Sequence, residues 1–237
     1  MKKLFVLIAA ACMTCTAAFA QTVKPFKEGE RAVFLGNSIT DGGHYHSYIW
    51  LYYMTRFPDM PIRVFNGGIG GDTAYDMNKR LDGDIFAMKP SVLMVTFGMN
   101  DSGYFEYNGD KPKEFGEQKY QESIKNYQQM EKRFKDLPDT RIVMVGTSPY
   151  DETVQLKENT PFKTKNETIK RLVEYQQESA AKNNWEFTDL NAPMTAINQQ
   201  YQQKDPTFTL CGSDRIHPDN DGHMVMAYLF LKAQGFV

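Results

Sequence analysis

Five short runs rich in apolar and β-branched residues, at 31–35, 62–65, 92–97, 141–146 and 185–188, are separated by segments with a helical period. That alternation constrains the fold more than any other feature of the chain. VLMVTF and IVMVG are continuously apolar rather than alternating, the pattern of strands covered on both faces. Tyr120, Ile124, Tyr127, Met130 and Phe134 recur every third or fourth residue, as do Ile169, Leu172, Val173 and Ala180. A last helix is expected over 219–233. Strand followed by helix, five times over, implies an α/β fold with one parallel sheet and right-handed crossovers that put helices on both faces. No internal repeat, low-complexity stretch or linker interrupts the pattern, so a single domain over 21–237 is expected.

Composition narrows the partners. With 41% apolar residues in 237, the chain can bury a core and is not disordered. Its 27 basic and 29 acidic residues leave a formal charge of −2, which supplies no basic field for nucleic acid and no polybasic stripe for anionic lipid. Residues 1–20 read as a signal peptide: Lys2 and Lys3, an apolar run from Leu4 to Ala11 too short to span a bilayer, then Ala18-Phe19-Ala20 as a small-x-small cleavage site. The expected destination is the periplasm or the extracellular space, with no membrane attachment after cleavage. Of the three cysteines, Cys12 and Cys15 would leave with the leader, and Cys211 alone can form no internal disulfide.

In a sheet of this kind chemistry sits at the carboxyl ends of the strands. Three of those ends are polar and glycine-rich: Gly36-Asn37-Ser38-Ile39-Thr40 after the first run, Gly67-Gly68-Ile69-Gly70-Gly71-Asp72-Thr73 after the second, and Gly98-Met99-Asn100-Asp101 after the third. A fourth cluster, Asp214-Arg215-Ile216-His217-Pro218, precedes the final helix. Ser38 fits a helix N-cap, and it equally fits a nucleophile if a base lies near. His217 has the right pKa for that base, and Asp214, three residues earlier, can turn back to the imidazole Nδ1 and leave Nε2 facing a hydroxyl. Asn100 offers a side-chain amide and Gly71 a backbone N–H for a developing oxyanion, although both residue types are also common in turns. The glycine-rich GGIGGDT lacks the last glycine of a dinucleotide fingerprint, and no phosphate-loop lysine pattern occurs.

The ordered set GNSIT, GGIGGDT, GMND and DRIHP resembles the motif blocks of the SGNH hydrolases, the GDSL-like esterase superfamily, over essentially the whole chain after the leader. The resemblance implies a flavodoxin-like three-layer α/β/α sandwich with a five-stranded parallel sheet, and serine ester hydrolysis without a cofactor or metal. It implies Ser38 as nucleophile, Asp214 and His217 as the rest of a triad, and an oxyanion hole from the Ser38 amide, the Gly71 amide and the Asn100 side chain. Asn37 stands where the name-giving block has Asp. The GxSxG elbow of the rival α/β-hydrolases is absent around Ser38.

Asn37, His44, Tyr45 and Tyr104 are expected to border the substrate pocket. His44 and His46 lack the carboxylate or thiol neighbours of a metal site. The mixed aromatic and polar run from Ser102 to Phe115 suits a sugar ring, which stacks on aromatics and needs hydrogen bonds for its hydroxyls. A small-molecule or glycan ester, above all an O-acetylated carbohydrate, is therefore the expected substrate. Two alternatives stay open at this level: a non-catalytic glycan-binding module on the same fold, and an acyltransferase using the same residues. Cys211 is expected to be buried rather than reactive, and the oligomeric state is not legible.

Overall fold

The computed structural model describes residues 22–157 and 160–237. The expected leader, with Cys12 and Cys15, lies outside the described residues. The strands are β1 (Arg31–Gly36), β2 (Arg63–Gly68), β3 (Val92–Val95), β4 (Arg141–Gly146) and β5 (Glu186–Asp189). They form one five-stranded sheet in the order β2-β1-β3-β4-β5, and every neighbouring pair is parallel. This is a flavodoxin-like order, the fold that the resemblance implies, and the connection reverses direction between β1 and β3.

Successive residues on each strand serve opposite faces. On β1, Ala32 and Phe34 enter one core while Val33 and Leu35 enter the other. The first core is closed by α2 (Tyr45–Arg56) through Ile49 and Tyr53, and by α7 (Asn220–Ala233) through Met226 and Phe230. The second is closed by α3 (Ala74–Arg80) through Met77, and by α4 (Pro112–Lys135) through Tyr127, Met130 and Phe134. Helix α5 (Lys165–Asn183) contributes to both. Truncating a fully buried side chain such as Phe34 in a core of this type costs about 3 to 5 kcal/mol.

Local chemistry sets the helix ends. Thr73 and Asp76 form a reciprocal capping box at the start of α3. Pro112 opens α4, and Lys132, Arg133 and Lys135 complement the negative end of its dipole. Asn184 terminates α5 in the left-handed region at φ 55°. Helix α6 (Asn191–Gln202), which the sequence pattern did not single out, is started by Asp189, whose Oδ1 accepts from the Asn191 and Ala192 amides.

Residues 22–30 run across the amino ends of the strands. The Val23 amide bonds to the Ala233 carbonyl, the Tyr53 hydroxyl links the Phe26 amide to Gln234, and Arg141 holds the Lys24 carbonyl, Glu30 and Glu186. Both ends of the described fold are thus fastened at the edge opposite the glycine-rich loops. Cys211 is buried and free, and burial pushes its thiol up to about 12. Among the described residues no helix is long and apolar enough to cross a membrane.

Candidate active site

The four polar clusters meet at the carboxyl edge of the sheet, around β1 and β3. The chain leaves β1 at Gly36, where an added Cβ would lie 2.1 Å from the Thr40 Oγ1, so only glycine allows the sharp turn into α1 (Ser38–Asp41). Ser38 is the first residue of that single-turn helix, and its amide therefore has no acceptor within the helix. Asn37 is buried, and its Oδ1 caps the turn by accepting from the Ile39 amide at 3.1 Å. The expected pocket position of Asn37 is corrected accordingly: the side chain is buried, with its Oδ1 turned to the backbone that carries Ser38.

Ser38 Oγ lies 2.8 Å from His217 Nε2, and His217 Nδ1 lies 2.5 Å from Asp214 Oδ2. The second carboxylate oxygen of Asp214 accepts from the Ile216 and His217 amides, both at 2.9 Å, so one side chain fixes both its loop and the ring. Burial alone would raise the Asp214 carboxyl. The bonds from the His217 ring and from those two amides outweigh it and hold the group below the ordinary aspartate range. The same ring bond, reinforced by the charge of Asp214 and opposed by burial, lifts His217 above the usual histidine value. Arg215 bends this loop with φ 69°, a conformation that costs an L-residue about 1 to 2 kcal/mol. It is held there by its buried guanidinium, which donates to the Asp151 and Val154 carbonyls.

The loops after β2 and β3 are tied to this centre. Arg80 donates to Asp72 at 2.6 Å and to the Gly36 and Gly67 carbonyls, joining the ends of β1 and β2. Asn100 Nδ2 donates one bond to the Asp72 carbonyl at 2.9 Å, which leaves its other N–H for a ligand, and its Oδ1 accepts from the Tyr104 hydroxyl. Gly71 sits in the turn between them at φ +83°, with open space where a Cβ would stand. The need for glycine there is conformational rather than steric. Asp101, which sequence pattern alone reads as a turn acid, is buried and accepts from the Ala74 and Gly98 amides and the Ser123 hydroxyl. It joins the two loops to α4.

The family assignment follows from the same stretch of chain. Residues 34–225 match the model of the GDSL-like lipase/acylhydrolase family. The chain belongs to that family. It is a serine ester hydrolase on the α/β fold described above. A curated relative, an acetylxylan esterase from Geobacillus stearothermophilus, is 27% identical over 224 residues, covering 88% of this chain and 95% of the relative. A solved structure of a catalytic mutant of that esterase superposes with a TM-score of 0.71 at 24% identity, covering 90% of this chain and 97% of the other, a likeness of fold. The structure of a gut microbial diltiazem-metabolizing enzyme superposes with a TM-score of 0.90 at 86% identity over 91% of this chain. The present chain spans about half, 49%, of that enzyme's length.

Within this GDSL-like site, the remaining expected pocket residues separate. Tyr104 is half-buried behind Asn100. His44 is exposed and borders a shallow groove with Pro218, Asp219 and His223. Tyr45 is corrected: it is buried, its hydroxyl pairs with Thr40 Oγ1 at 3.1 Å, and its ring stacks on His223. It is a core residue because α2 turns it inward against Phe34. His46 is also buried, bonded to the Thr40 carbonyl. Among the described residues no three His, Cys, Asp or Glu side chains gather as a metal site.

One element was not legible. Lys165 is fully buried beneath the β3 loop, although a lysine at the start of a polar helix reads as a surface residue. Phe105, which lies in the aromatic run singled out from the sequence, stands 80% exposed beside Tyr104, edge-on to Phe162.

Proposed function

We propose that this chain is an exported carbohydrate O-acetyl esterase in which Ser38, His217 and Asp214 form the catalytic triad. The carrying observation is the continuous relay from Ser38 Oγ through the imidazole to the Asp214 carboxylate. His217 Nε2 takes the Ser38 proton as Oγ attacks the acetyl carbonyl. The tetrahedral oxyanion is held by the Ser38 and Gly71 amides and the free N–H of Asn100. Collapse expels the sugar hydroxyl, which receives the proton from His217, and leaves an acetyl-serine. Water, deprotonated by the same histidine, releases acetate and restores Ser38.

The choice of acyl group and alcohol rests on the relatives. The acetylxylan esterase acts on an acetylated polysaccharide, and its catalytic mutants include an aspartate and a histidine three positions apart, the spacing of Asp214 and His217. Diltiazem, which the second relative metabolizes, carries an acetate ester among its functional groups. The site is open, with the His217 and Asp214 side chains 48% and 47% exposed, which suits a substituent on a long glycan rather than a fatty acyl chain needing a sealed tunnel. Tyr104, bonded to Asn100, meets Phe162, which Phe105 also meets edge-on, and the three rings form an aromatic cluster next to the β3 loop. The proposed boundaries are a leader at 1–20 and a catalytic domain at 21–237.

The test is acetate release from acetylated xylo-oligosaccharides and from diltiazem by the wild type and Ser38→Ala. Equal rates for the two would overturn the serine mechanism. Release from p-nitrophenyl acetate alone would overturn the carbohydrate reading. Amino-terminal sequencing of protein recovered from the periplasm or medium should begin at Gln21.

A further inference from the structure

Lys165, the first residue of α5, is fully buried, and among the described residues no carboxylate lies within salt-bridge distance of it. An ammonium has three protons to donate. These go to the Met99 carbonyl at 2.7 Å, Ser102 Oγ at 2.6 Å and the Gly103 carbonyl at 2.5 Å. The same nitrogen stands 3.9 Å from the centre of the Tyr104 ring. Every one of these groups belongs to the loop that follows β3, on either side of Asn100. A methionine or leucine would occupy the space without the cost of desolvating a charge. That cost is visible here, since burial pushes the ammonium down to about 7 against the opposing pull of Asp101 and Glu152.

The loop's shape gives the charge a use. Asn100 follows Met99 directly and is held at its Oδ1 by the hydroxyl of Tyr104. The cation lies against the Tyr104 ring and helps hold it in place, and the Tyr104 hydroxyl donates to Asn100 Oδ1 and so fixes the rotation of that amide. We infer that Lys165 is a positioning residue of the esterase: it clamps the backbone on both sides of Asn100 and, through Tyr104, aims the Asn100 amide at the oxyanion. This rests on Asn100 serving as an oxyanion donor, the reading given above.

The experiment is a double-mutant cycle on the full chain with p-nitrophenyl acetate, comparing the wild type, Asn100→Ala, Lys165→Met and the double variant. Asn100→Ala is expected to lower kcat about 100-fold. Lys165→Met is expected to lower kcat about 10-fold with KM changed less than about twofold, and to cost nothing further once Asn100 is absent. A Lys165→Met loss of equal size in both backgrounds, or none in either, would overturn the inference while leaving Asn100 as a donor. Full kcat in Asn100→Ala would instead overturn the donor reading and this inference with it. Should Lys165→Met fail to fold, Ser102→Ala removes one acceptor and keeps the lysine. It is expected to lower kcat about 3-fold, again only when Asn100 is present, and the same loss without Asn100 counts against the clamp.

Discussion

His217 Nε2 lies 2.8 Å from Ser38 Oγ although the two residues are 179 positions apart in the chain. The sheet order brings them together: β1 delivers Ser38 at the point where the strand connection reverses, and the chain returns after β5 and α6 to lay the 214–217 loop over it. Removing the hydroxyl isolates its contribution. Ser38→Ala should lower kcat/KM on p-nitrophenyl acetate by at least about 1,000-fold with an unchanged Tm, because the half-buried hydroxyl carries little packing.

Asp214 sets the pH response. In the proposed triad His217 must be neutral to accept the serine proton, so activity should rise as pH climbs through its pKa, which the Asp214 bond moves upward. Asp214→Asn removes the upward shift and orients the wrong tautomer. The acid limb of the kcat/KM profile should therefore move to lower pH while the plateau falls by about 10,000-fold. A limb that stays in place would show that another group controls it.

Gly71→Ala tests a backbone donor. Nothing crowds a Cβ there, so any cost comes from holding φ +83°, about 1 to 2 kcal/mol for an L-residue. If the turn relaxes to relieve it, the amide moves off the oxyanion. Urea unfolding should report the stability loss, and steady-state kinetics a fall in kcat with little change in KM.

Asp101 ties the two donor loops to α4. Asp101→Ala leaves the buried Ala74 and Gly98 amides without their acceptor, at about 1 to 3 kcal/mol for each unpaired group. The urea midpoint should fall by an amount matching at least one such loss.

Phe105 tests the proposed glycan reading apart from the chemistry. Its ring is 80% exposed, so Phe105→Ala should leave stability and p-nitrophenyl acetate turnover unchanged. KM for acetylated xylo-oligosaccharide should rise about fivefold, the equivalent of about 1 kcal/mol of ring contact.

The sheet was readable because its strands are buried on both faces and so nearly continuous in apolar residues. β4 lies where the pattern put it, at Arg141–Gly146. β2 runs on to Gly68 because Gly67 and Gly68 pair with Leu35 and Gly36, an extension that a glycine run without side chains does not announce. Conversely β3 pairs only as far as Val95, although Thr96 and Phe97 continue the apolar run. In the site, the residues that carry recognisable chemistry in a recognisable order were legible. Those that hold them were not: Lys165, Asp101 and Arg215 are charged side chains whose burial is decided by distant segments. The misplacement of Tyr45 has the same origin, since its neighbour His44 is exposed and only the helical phase of α2 separates the two.

The fastening of residues 22–30 and of α7 at the amino edge of the sheet has a practical corollary. A segment leading into residue 22 or continuing from the last turn of α7 meets the fold at the pole opposite Ser38. A support attached beyond the last turn of α7 would leave the Ser38 rim facing outward.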